Sequence, residues 1–160
     1  MKITKQQQGF TLIELLMVLA IMSLLMSVVL AALTSARGKG GDAAVKSNLV
    51  NIRSQAALYF SDYGDYAVES DVCTAGIFST DLRISAAIAA AQKSGGGAAI
   101  CSSSDGAVTS GGTAKSWAIA VPLKTAPTPG YWCVDSLGAS KQTTVLVPAS
   151  LTSTASSTCP

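Results

Sequence analysis

The stretch "GFTLIELLMVLAIMSLLMSVVLAAL", residues 9–33, constrains this chain more than any other. From Phe10 to Leu33 there are 24 residues and one charge, Glu14. As a helix that segment reaches about 36 Å, enough to cross a hydrocarbon core of about 30 Å. A secretory signal has a shorter apolar region of about 7–15 residues and fits poorly, although Thr34-Ser35-Ala36 offers a small-residue cleavage site. A carboxylate in such a run costs about 2–3 kcal/mol near the bilayer centre, less towards an end, and usually serves a function. The structural alternative is that Glu14, one turn in, simply reaches the headgroups.

The rest of the chain is different in kind. Apolar residues make up 49% of the whole and charged residues 12%, and the apolar residues are densest between Phe10 and Leu33. Beyond them Ser, Thr, Gly and Ala dominate. Lys2 and Lys5 precede the run, and the remaining nine basic residues balance nine acidic ones. With no basic stripe interleaved by aromatics, direct nucleic-acid binding has no support. Lys2 and Lys5 before the run are matched by Arg37 and Lys39 after it, so the basic residues do not orient it.

Cys73, Cys101, Cys133 and Cys159 all lie in the second half, none in a CxxC pair, and the chain has no histidine to complete a zinc site. An even number in a Ser/Thr-rich domain reads as two disulfides formed in an oxidising compartment. That places the C-terminal part outside and the lysine-bearing N-terminus in the cytoplasm. Three pairings are possible; the one between sequence neighbours, Cys73 with Cys101 and Cys133 with Cys159, is the preferred expectation.

"Gly9-Phe10-Thr11-Leu12-Ile13-Glu14-Leu15-Leu16" resembles the processing site of type IV prepilins, and the resemblance extends over residues 1–63. It implies a leader, residues 1–9, cut after Gly9 by a prepilin peptidase that also methylates the new N-terminal Phe10. It implies that Glu14 neutralises the free amine of a neighbouring subunit during filament assembly. The physics agrees, because a carboxylate in a low-dielectric bundle is tolerable when paired with a cation. Many family members carry glycine where this chain has Ser23 and proline where it has Ala31; those residues help the helix melt locally in assembled pili. Ser23 and Ser27, one turn apart, can instead hydrogen-bond within or across helices. "YWCVDSLGASK" is similar, more weakly, to a C-terminal segment of some pilin-like proteins.

After the apolar run, Val45, Leu49, Ile52, Ala56, Tyr59 and Tyr63 recur at helical spacing, one stripe that should pack on a sheet. Gly38, Gly40 and Gly41 interrupt the approach to it. Each costs up to about 1 kcal/mol in a helix interior, so a hinge is expected there, with Asp42 capping the amphipathic half. The acidic stretch "DYGDYAVESD" lacks EF-hand spacing and reads as a solvated loop, not a calcium site. Residues 79–93 read as a second helix capped by Ser79 or Thr80, and "SGGGAAICSSSDGAVTSGG" as a mobile loop tied at Cys101. "SWAIAVPL" alternates like a strand, and Pro122 points to an edge position. "YWCVDS" and "KQTTVLVP" follow as second and third strands of an antiparallel meander. The tryptophans and tyrosines should fill the helix–sheet interface. In the tail, Cys159 paired to Cys133 would pin what otherwise floats.

The expected fold is therefore α+β and pilin-like: a long N-terminal helix, half membrane-spanning and half amphipathic, packed on a small antiparallel β-sheet. The expected division is a leader (1–9), a transmembrane and filament-core helix (10–36) and a globular head (37–160). No catalytic residue, metal site or cofactor is expected, since histidine triads, a P-loop, a dinucleotide fingerprint and a GxSxG elbow are all missing. The function implied is a type IV pilus subunit, with a type II secretion pseudopilin as the alternative and a secreted or anchored binding domain as a remote one. The implied partners are copies of the chain itself, the prepilin peptidase, an assembly platform, minor pilins, and the inner membrane before assembly.

Overall fold

The computed structural model describes residues 9–105, 112–125, 130–144 and 157–160. Residues 1–8 of the expected leader, with Lys2 and Lys5, residues 106–111 of the expected loop, residues 126–129, and residues 145–156, which include part of the expected third strand and most of the tail, lie outside these. The chain divides into two compact units, one ending at Arg37 and one starting at Gly38.

The N-terminal unit contains the first half of α1 (Leu12–Tyr63), an unbroken helix of 52 residues. Every residue from Gly9 to Arg37 is exposed. Among the described residues α1 is the one helix long and apolar enough to cross a membrane. Ser23 donates its hydroxyl to the Leu19 carbonyl at 2.7 Å, and Thr34 does the same to Leu30 at 3.0 Å. Both polar side chains are thus satisfied inside their own helix.

In the head, α1 is followed by α2 (Ile77–Thr80), α3 (Leu82–Ser94) and strands β1 (Ile100–Ser104), β2 (Ser116–Pro122), β3 (Tyr131–Asp135) and β4 (Ser140–Thr143). The strands form an antiparallel meander in the order β1-β2-β3-β4. Val45, Leu49, Ile52 and Ala56 are buried against Ile77, Phe78, Ile84, Trp117, Ile119, Val121 and Val134. A fully buried Val, Leu or Ile side chain contributes about 1.5–3 kcal/mol, so about three consecutive turns of α1 anchor this core. Tyr59 packs against its margin, but Tyr63, which ends the stripe, is 67% exposed. Trp117 lies in the interface with Tyr66 edge-on at 6.5 Å, and Trp132 packs at the rim. Tyr131 lies instead on the opposite face of the sheet.

That opposite face is also covered. Ala118, Ala120 and Cys133 are buried there together with Cys159, so the alanines of β2 are small because the C-terminal residues lie over them. The structure bonds Cys73 to Cys101 on the helix side and Cys133 to Cys159 on the tail side. Asp135, itself buried, ties the tail down further. One carboxylate oxygen accepts from Leu137 N (3.1 Å) and Ala139 N (2.8 Å), the other from Cys159 N (2.9 Å).

Several local expectations are corrected here. The helical hydrogen-bonding of α1 continues through Gly38, Gly40 and Gly41 without a break. A Cβ at Gly38 would meet Thr125 Cγ2 at 2.8 Å, and one at Gly41 would meet the Ser94 carbonyl oxygen at 2.6 Å. These two glycines permit close approach to the helix rather than bend it. Asp42 caps no helix. From mid-helix its carboxylate accepts from Lys124 N (2.7 Å), Thr125 N (3.1 Å) and the Thr125 hydroxyl, fastening the segment after β2. Burial pushes the Asp42 carboxyl up, but the Thr125 and Lys124 hydrogen bonds and the Lys46 charge outweigh it and hold it below the ordinary range.

The second helix is split and capped by Asp81, which accepts from Arg83 N (2.7 Å) and Ile84 N (3.1 Å), not by Ser79 or Thr80. The segment read as a mobile loop contains β1. A Ser-rich strand is possible there because its hydroxyls are used: Ser102 donates to Asp71 (2.9 Å) and Ser103 accepts from Ser70 N (3.0 Å). β2 is an inner strand. Pro122 is accommodated at its end, past the last β1 partner, where its carbonyl receives Gly96 N at 2.8 Å and no N–H is required.

Candidate functional site

The site begins where α1 begins. Gly9, Phe10 and Thr11 precede the helix, and Gly9 and Phe10 are exposed, Phe10 by 85%. The Gly9–Phe10 peptide bond thus lies in exposed, non-helical backbone, the kind of segment most open to proteolysis. Gly9 has open space around its Cα.

Glu14 occupies the third helical position. Its Oε2 accepts from Thr11 N at 3.0 Å and from the Thr11 hydroxyl at 2.7 Å, while Thr11 Oγ1 accepts from Glu14 N at 3.4 Å. This is the reciprocal capping box, in which two end-of-helix donors are satisfied by each other's side chains. Thr11 is the residue sequence reasoning missed as part of the site. The signal was present, since Thr-x-x-Glu immediately before an apolar run is the box's signature. The arrangement has two chemical consequences. The negative charge sits in the first turn, where the helix dipole favours it. The Glu14 side chain is also oriented by one oxygen only; Oε1 has no partner among the described residues.

The other residues singled out lie elsewhere. The four cysteines are in the head and make its two disulfides, so they do not join Glu14 in a site. The acidic stretch after α1 is used for local structure: Asp65 accepts from Ala67 N (2.9 Å) and Glu69 from Asp105 N (2.6 Å). Among the described residues no group of three or more His, Cys, Asp or Glu side chains is placed to hold a metal.

Residues 4–30 match the family model described as the prokaryotic N-terminal methylation motif. Comparison with curated proteins and with solved structures gave no match. The matched motif spans Gly9, Phe10, Thr11 and Glu14 and continues into the exposed apolar half of α1. The motif and the long helix, whose second half packs on a small antiparallel sheet, support assigning this chain to the type IV pilin or prepilin-like proteins.

Proposed function

We propose that the chain is the repeating subunit of a type IV pilus filament, with a structural rather than a catalytic role. The reading has this sequence of events. The precursor sits in the inner membrane through residues 10–36, with its leader in the cytoplasm and its head outside. A prepilin peptidase cuts between Gly9 and Phe10 and methylates Phe10. An assembly platform then moves the subunit from lipid into a growing fibre begun by minor pilins, and apolar helices exchange lipid for one another.

The single observation that carries this is the methylation motif running directly into a helix exposed and apolar on every side. Such a surface needs a partner outside the chain. Glu14 then supplies register. Oriented by Thr11 through one oxygen, it offers the other to the Phe10 ammonium of a neighbouring copy, and pairing removes the cost of a lone charge in an apolar bundle.

The test is N-terminal sequencing and intact mass of the sheared surface fraction of cells that make the protein. The expected result is a chain starting at methylated Phe10 in that fraction. The same N-terminus confined to membranes would favour a pseudopilin of a type II secretion system or a rare minor subunit. A start near Arg37 would make the head a released domain and overturn the account of Glu14.

A further inference from the structure

Within the head, an open cleft of about 480 Å³ lies between the last turns of α1 and the corner joining α2 to α3. Its walls include Leu58, Tyr59, Asp62, Tyr63, Leu82 and Arg83. The Tyr59 and Tyr63 rings lie tilted against each other with centroids 4.5 Å apart. Leu58, Tyr63 and Leu82 are 55%, 67% and 83% exposed, so the head leaves this apolar rim uncovered. Two of the polar groups are engaged: Arg83 donates to Gln55 Oε1 at 3.3 Å, and Asp81 caps α3. Asp62 has no partner among the described residues. One free carboxylate framed by aromatic and aliphatic surface is the setting for a cation on an aliphatic stem, a lysine or arginine side chain.

The chain carries candidates on α1 itself. Lys46 lies over the Trp132 ring at 4.6 Å, and Arg53 is bonded to the carbonyls of Asp135 and Ala139. Arg37 and Lys39 are the cations of α1 left exposed and without a partner among the described residues, and they follow directly on the apolar run that a filament must cover. From Lys39 to Asp62 the helix climbs about 35 Å and turns so that the two side chains leave it roughly 140° apart. Nearly opposite directions suit a head-to-tail contact between identical copies, where one face serves the neighbour above and the other the neighbour below. Such a heterologous contact does not close and propagates into a fibre.

We infer that the Arg37–Lys39 collar of one copy enters the cleft of another, pairing Lys39 with Asp62, and that this contact sets an axial stagger of about 35 Å between them. The inference rests on the filament reading and adds a second contact to it. Phe10 and Glu14 are only about 6 Å apart along the chain's helical rise, so the Glu14–ammonium pair and the cleft pair engage different neighbours.

The experiment uses the full-length chain in cells that make the fibre. Asp62→Lys and Lys39→Asp are made singly and together, and sheared fibre yield is read beside leader cleavage, disulfide formation and the membrane pool. Each single change is expected to lower fibre yield about tenfold by placing like charges together, with cleavage and disulfides unchanged, and the double swap to restore it. A photo-crosslinking residue at Tyr63 should capture residues 37–39 of a second copy in intact fibres. Undiminished yield in the single variants, failure of the double swap to recover, or a Tyr63 cross-link to another segment overturns the inference. If a charge variant fails to fold, the cross-link in otherwise wild-type chain decides alone. Normal fibres without that cross-link remove the cleft contact only. No fibre at all from the wild-type chain removes the filament reading.

Discussion

The two halves of α1 are built on one helix and treat their apolar residues in opposite ways. In the second half Val45, Leu49, Ile52 and Ala56 form a single stripe that the head's own sheet covers almost completely. In the first half Leu12, Ile13, Leu15, Ile21 and Leu25 point all round, each more than half exposed. A helix with one apolar stripe can be satisfied within its own fold; one that is apolar all round needs lipid or other helices. The chain therefore contains a finished domain and an unfinished one, and the unfinished one carries the methylation motif.

The largest effect expected from this contrast concerns Glu14. Glu14→Ala should leave leader cleavage intact and abolish fibre assembly, because an unpaired ammonium buried among apolar helices costs about 3–5 kcal/mol. Fibre yield and N-terminal mass measured side by side check it, and wild-type yield would remove the register role. Next comes the division of labour along the helix. Ile52→Ala should destabilise the head by about 2–5 kcal/mol, whereas Leu19→Ala should leave head stability unchanged. Denaturant titration of both variants in the same detergent reads the difference.

A smaller and sharper test uses two neighbouring glycines. Alanine is favoured over glycine in a helix by about 1 kcal/mol, so Gly40→Ala, with open space around it, should raise the midpoint of unfolding. Gly41→Ala should lower it, because the added methyl meets the Ser94 carbonyl. Equal gains at both would restore the idea of a flexible joint.

The smallest effect is in acid. The Asp42 carboxyl titrates below its ordinary range in the folded head. Its contribution is therefore complete above the unfolded value and lost as pH falls through the lower folded one. Asp42→Asn should flatten the acid limb of the head's stability curve, measured by thermal unfolding from neutral to strongly acid pH, while leaving the slope near neutrality alone.

Legibility followed the range of the physics involved. The stripe on α1 was readable because helical periodicity is local, and Trp117, Ile119 and Val121 announced β2 by alternation. β1 escaped because three of its five residues are serines, whose place in a strand depends on partners such as Asp71 and Ser70, distant in sequence. The glycines were misread for the same reason: the Ser94 carbonyl and Thr125 methyl that explain Gly41 and Gly38 lie far along the chain. The Thr11–Glu14 capping box is local and legible, since Thr-x-x-Glu before an apolar run is its signature.

What the sequence by itself determined is the apolar run, its lone carboxylate, the motif around Gly9 and Phe10 and the amphipathic stripe, since composition and period depend on neighbours within a turn or two. Tertiary structure alone decided that α1 continues through its glycines, that Asp42 fastens the segment after β2, and that the alanines of β2 lie under Cys159. Those outcomes depend on which distant backbone arrives within contact distance, and no local pattern encodes that.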